Sequence, residues 1–129
     1  MNIFVVDDEP DILRLYSIYL NMRGDNVTLT SNSVEALEII KKNDFDLVIT
    51  DKRMPEVTGL EIIDFVENNK STIPILLITG DHDVEHDFIN NQSKVIIKPI
   101  FRENFIFEVD KIESNLEKIN ESIFSQSWY

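Results

Sequence analysis

Four short apolar runs, each stopped by a side chain able to do chemistry, constrain this chain more than anything else in it. Ile3-Phe4-Val5-Val6 ends at Asp7 and Asp8, and Leu47-Val48-Ile49-Thr50 ends at Asp51. Ile75-Leu76-Leu77-Ile78 ends at Thr79, and Val95-Ile96-Ile97 ends at Lys98 and Pro99. Such runs read as strands buried on both faces, the habit of parallel sheets. In an open parallel sheet the carboxyl ends of the strands share one edge, where ligands gather. Three carboxylates, a hydroxyl and a lysine are thereby directed to a single edge.

Helical spacing fills the intervals. Pro10 suits a first helical turn, and Ile12, Leu13, Tyr16, Tyr19 and Leu20 recur along one face up to Gly24, a C-terminal stop. Val27-Thr28-Leu29-Thr30 alternates apolar with polar and reads as an edge strand with one wet face. Asn32 with Glu35, and Thr58 with Glu61, are spaced as reciprocal caps for the next two helices. From His82 to Gln92 the spacing predicts a weak helix with only Val84, Phe88 and Ile89 to bury. A last helix is expected from about Glu103 to Phe124. Strand and helix therefore alternate five times, and the predicted class is α/β, doubly wound, with parallel strand order 2-1-3-4-5. That order places the switch point between the first and third strands, where Asp7, Asp8 and Asp51 meet.

Composition narrows the chemistry. The 129 residues make one domain, and no run approaches the roughly 20 apolar residues of a membrane helix. Ile3–Val6 is too short for a secretory signal, so a cytoplasmic location is expected. The absence of cysteine excludes disulfides, thiol catalysis and thiolate metal sites. A net charge of −12 argues against direct nucleic-acid binding by this chain and for protein partners, or small ligands carried with a metal.

Three carboxylates on adjacent strand ends repel one another, by on the order of 4 kcal/mol for a pair about 4 Å apart at an effective dielectric near 20. A cation or a raised pKa must compensate. An oxygen-only donor set favours a hard ion such as Mg2+. With a lysine and a hydroxyl beside it, the cluster is equipped for phosphoryl transfer to a carboxylate nucleophile.

Val5-Val6-Asp7-Asp8-Glu9-Pro10, the Asp51-Lys52-Arg53-Met54-Pro55 loop with Gly59 beyond it, Thr79-Gly80, and Lys98-Pro99 stand in order at the four strand ends. Together they resemble the receiver domains of two-component response regulators, over roughly residues 1–113. The resemblance implies a single (βα)5 flavodoxin-like domain, with residues 114–129 as an extension of the last helix and a tail. It implies that Asp51 accepts a phosphoryl group from a histidine kinase or phosphotransfer protein. Asp8, Asp51 and the backbone carbonyl of Arg53 would hold Mg2+, with Asp7 acting through water. Thr79 would bond the phosphoryl oxygens, Lys98 would pair with them, and the Lys98–Pro99 peptide is expected to be cis. Arg53 and Asp81 flank the acceptor and the hydroxyl, where they bear on the lifetime of the acyl phosphate. His82 and His86 are read as solvated surface residues.

Two departures from the family bear on signalling. The switch position three residues before the lysine, usually aromatic, is Val95. The Thr79–Lys98 segment is also about three residues short, nearly one helical turn, and lacks the usual Gly-Ala pair before the last strand. The reading is a phosphorylatable switch acting on a downstream protein target or a fused output domain, with no output domain of its own in these residues. A phosphorylation-independent receiver-like binding module is the alternative. A haloacid-dehalogenase-like phosphatase would need an Asp-x-Asp pair after the first strand and a longer chain. Finally, Phe105, Val109, Ile112, Leu116, Ile119 and Ile123 form a heptad seam. Beyond about Ser114 it outruns the domain with Phe124 and Trp128, so a homodimer through the C-terminal helix is expected.

Overall fold

Side chains alternate across a strand, so each apolar run divides between two faces and needs cover on both. In β1 (Asn2–Val6), Ile3 and Val5 face one layer, while Phe4 and Val6 face the other. The first layer is α1 (Pro10–Arg23) and α4 (Arg102–Gln126), which bring Leu13, Tyr16, Leu20, Phe105, Val109 and Ile112. The second is α2 (Ser33–Lys42) and α3 (Gly59–Asn69), which bring Ala36, Ile40, Ile62, Ile63 and Val66. The computed structural model describes residues 1–82 and 86–126. The remaining strands are β2 (Asn26–Thr30), β3 (Leu47–Thr50), β4 (Ile75–Thr79) and β5 (Lys94–Ile97).

All pairings are parallel and the order is β2-β1-β3-β4-β5, as expected. Val6 stands opposite Thr30 on one side and Thr50 on the other, so Asp7 and Asp51 leave the sheet side by side. The backbone continues this pairing past the strands: Asp7 N–H donates to the Thr30 carbonyl and Asp51 N–H to the Val6 carbonyl. β2 is the edge strand, but the expected split into a dry and a wet face is not kept: Leu29 is exposed along with Thr28, and Thr30 is buried, its hydroxyl held by Glu35.

Local signals mark the helix ends as read, but neither capping box is reciprocal. Gly24 closes α1 at φ 88°, a left-handed conformation glycine adopts without strain. The Asn32 side chain accepts from Val34 and Glu35 N–H, but Glu35 does not return the bond. Its carboxylate instead accepts from the Thr30 hydroxyl, which in turn receives Asn32 N–H. Thr58 caps α3 by accepting from Glu61 N–H.

Among the described residues the helix expected between β4 and β5 is not seen: residues 86–93 hold no helix, and the described residues contain four helices, not five. Polar side chains here cap a local turn and tie the segment to the start of β4 instead. Asn90 Oδ1 accepts from Gln92 N–H, Asn90 Nδ2 donates to the Thr72 carbonyl, and Ser93 Oγ accepts from Ile75 N–H. Phe88 packs on the core but Ile89 is 67% exposed, so one ring is the anchor. His86 corrects a second expectation. It is half-buried, not solvated, because Glu67 of α3 captures its Nε2 at 3.0 Å; His82 is exposed.

The C-terminal helix outruns the sheet as predicted. Phe105, Val109 and Ile112 are buried and Leu116 packs partly on the same layer, whereas Ile119 and Ile123 are exposed. Val84 and Trp128, named above as apolar anchors, lie outside the described residues, as does the side chain of Phe124.

Candidate functional site

The switch point gathers Asp7, Asp8 and Asp51, one ligand oxygen from each lying within 4.8 Å of the others. Asp7 is 2% exposed and its Oδ1 accepts from Glu9 N–H at 3.0 Å. Burial pushes its carboxyl up to about 6, against the pull of that hydrogen bond and of the Lys98 charge, while Asp51 and Asp8 push the same way as burial. Asp51 is also raised by burial, with Lys98 and the Lys52 N–H holding it down. That N–H donates to Asp51 Oδ1 at 2.9 Å.

Lys98 reaches the cluster from the end of β5. Its Nζ lies 3.7 Å from Asp51 Oδ1 and 3.8 Å from Asp7 Oδ2, so one ammonium faces two of three carboxylates. Its own N–H donates to the Thr79 carbonyl at 2.7 Å, and the Lys98–Pro99 peptide is cis. Thr79 is buried, and its hydroxyl accepts from Asp81 N–H at 3.1 Å. Asp51, Arg53, Thr79, Gly80, Asp81, His82 and Lys98 line an open pocket of about 590 Å³.

The loop after Asp51 is held by contacts that the strand-end pattern does not reveal. Gly59 N–H donates to the Lys52 carbonyl at 2.8 Å, and a Cβ on Gly59 would lie 2.0 Å from the Asp51 carbonyl oxygen. Ser33, buried at the start of α2, donates to the Pro55 carbonyl at 2.6 Å and accepts from Val57 N–H. Lys52 and Arg53 both reach Asp81 Oδ2, at 2.8 and 2.9 Å, bridging the two sides of the pocket. Lys52 is legible in the sequence only as a member of a motif, and Ser33 carries no sequence signal of its own. Among the seven site residues expected from the sequence, Val95 alone stands apart. It is half-buried in β5, paired with Leu77 and packed on the α2/α3 face.

The donor set fits a hard divalent ion. Three carboxylates converge, no imidazole or thiolate joins them, and one is buried to the point of holding its proton near pH 6.

The model of the response regulator receiver domain matches residues 3–110. Response regulator SaeR of Staphylococcus aureus is 27% identical over 120 residues, 91% of this chain and 52% of that protein. The chain thus spans about half the length of the curated relatives it matches. Among solved structures, a receiver domain protein from Clostridium thermocellum superposes with a TM-score of 0.80 at 24% identity, covering 92% of this chain and 98% of the other. Response regulator TrrA of Thermotoga maritima, solved with Mg2+ and BeF, gives 0.77 at 29% identity over 86% and 97% of the two chains. A match over this span, on this sheet order and with these strand-end residues, places the chain in the family of response regulator receiver domains, regulatory phosphoacceptor modules of two-component signalling.

Proposed function

We propose that Asp51 is the phosphoacceptor of a signalling switch loaded by a histidine kinase or phosphotransfer protein. A carboxylate oxygen of Asp51 attacks the phosphorus of a phosphohistidine; the new O–P bond forms as the P–N bond breaks, and the imidazole leaves. The observation that carries this reading is the Lys98 ammonium 3.7 Å from Asp51 Oδ1, beside two further carboxylates. Asp8, Asp51 and the Arg53 carbonyl would hold Mg2+, with Asp7 acting through water. Bound there, the ion supplies positive charge to the clustered carboxylates and the phosphoryl oxygens. TrrA was solved with that ion and a phosphoryl mimic, which supports the same use of the site in this chain.

Thr79 carries the relay. Its hydroxyl accepts from Asp81 N–H through a lone pair, which leaves its own hydrogen to donate to a phosphoryl oxygen and couples the Asp81 backbone to that contact. Because Val95 has no ring to swing, the change passes to the Thr79–Lys98 segment rather than to a side chain of β5. Residues 1–113 form the switching unit, and 114–129 extend its last helix. Output goes to a protein target or a fused domain in the cytoplasm; no described helix is long and apolar enough to cross a membrane.

Intact-mass measurement after exposure to a small acyl-phosphate donor with Mg2+ tests the reading. Wild type gains the mass of one phosphoryl group, and Asp51→Asn gains none, because an amide is a poor nucleophile. The loss of a helix between β4 and β5 favours a second reading, a receiver-shaped binding module that works unphosphorylated. An unmodified wild-type protein under saturating donor and Mg2+ supports that reading instead.

A further inference from the structure

Glu67 of α3 is a half-buried acid, its side chain 9% exposed, and among the described residues no lysine or arginine forms an ion pair with it. Its Oε1 lies 3.0 Å from His86 Nε2, and its Oε2 accepts from Ile89 N–H. Asp64, three residues earlier on α3, brings a second carboxylate to the same helix face. One ligand atom from each of Asp64, Glu67 and His86 lies within 4.8 Å of the other two. Two carboxylates this close, one of them largely out of water, favour a cation beside them.

We propose that Asp64, Glu67 and His86 form a binding site for a divalent transition-metal ion of the zinc type, separate from the carboxylate cluster around Asp51. One imidazole with two carboxylates is a nitrogen–oxygen set that zinc accepts, whereas magnesium takes oxygen alone. Three protein ligands leave a fourth tetrahedral position for water. Tetrahedral zinc with bonds of about 2.0–2.1 Å spaces its ligands roughly 3.4 Å apart. The Glu67–His86 pair already stands near that spacing, and the exposed Asp64 side chain is free to rotate the remainder. On binding, the neutral ring carries its hydrogen on Nδ1, so that the Nε2 lone pair faces the ion. Outer contacts already aim two of the ligands: Phe88 meets the His86 ring edge-on at 4.8 Å, and Ile89 N–H fixes the Glu67 carboxylate. The ion would tie residues 86–89 to α3, where a helix was expected to pack.

The chain's two histidines make the test direct. Ring resonances of His82 and His86 are followed by NMR during zinc titration of the full chain, with excess magnesium present to occupy the Asp51 cluster. One equivalent of zinc is expected to shift His86 and leave His82 in place. His86→Ala and Asp64→Asn should each weaken zinc binding by about tenfold or more, while His82→Ala should not. Asp64 is exposed, so its variant keeps the fold even if loss of the His86 contact disturbs it. A His86 ring unmoved by zinc, both histidines shifting together only at large excess, or unchanged affinity in His86→Ala and Asp64→Asn would overturn the site.

Discussion

Asp7 shows how much of the site's behaviour is set by one carboxyl. Burial raises its folded pKa from 3.8 to about 6, so the folded state binds that proton more tightly than the unfolded chain does. Below pH 4 the group is protonated in both states; as pH rises to 6, folding must deprotonate a buried acid, and stability is lost. The loss is about 3 kcal/mol once the window is crossed. Asp7→Asn keeps an oxygen to accept Glu9 N–H but removes the charge. Urea unfolding without Mg2+ should find the variant more stable than wild type at pH 7, with the gap closing toward pH 4. A gap independent of pH, or a less stable variant, would contradict the assignment. Gly59 makes the complementary steric case. A methyl group 2.0 Å from the Asp51 carbonyl oxygen cannot be accommodated, so Gly59→Ala must shift the acceptor loop. Its phosphorylation by a small donor should be slowed severalfold or more, measured by intact mass; a wild-type rate would show that the loop absorbs the change.

Each element that formed as expected had both an apolar pattern and a local boundary signal. The runs ending at Asp7, Asp51 and Thr79 are buried on both faces, the run ending at Lys98 is a half-buried edge strand, and Gly24, Asn32 and Thr58 mark helix ends by their own hydrogen bonding. Strand ends therefore made the site legible, since residues just past a buried strand go where the strand points. The stretch from His82 to Gln92 had neither strong signal. Its contacts are made to Glu67, Thr72 and Ile75, residues distant in sequence, and no period along the chain encodes them. Ser33 escaped for the same reason, and Gly59 was legible as a motif member but not in its role, because what each does depends on a loop brought against it from elsewhere. Held by few apolar contacts, residues 86–92 belong to the low-stability end of the fold. Their amides should exchange earlier than those of β4, and a beryllofluoride mimic with Mg2+ should change their rates. Strong protection in both states would contradict a relay through this segment.

At the scale of the molecule, the heptad seam divides. Phe105, Val109 and Ile112 are spent on the domain's own core and Leu116 packs partly on it, leaving Ile119 and Ile123 exposed, where a second copy is expected to dock. Glu113, bordering the same stretch, is already paired with Arg23 and the N-terminal ammonium, so the contact is expected to rest on apolar burial and to depend little on salt. Sedimentation at rising concentration should reveal a weak dimer that disappears when residues after Glu113 are deleted. A monomer throughout, unchanged by the deletion, would assign the exposed helix to another role.

The account as a whole stands on Asp51. Peptide mapping of the phosphorylated protein, after reduction of the acyl phosphate to a stable alcohol, locates the modified residue directly. A single modification at Asp51 in the Leu47–Met54 region is the predicted result. Modification elsewhere, or equal modification of the Asp51→Asn protein, would contradict it.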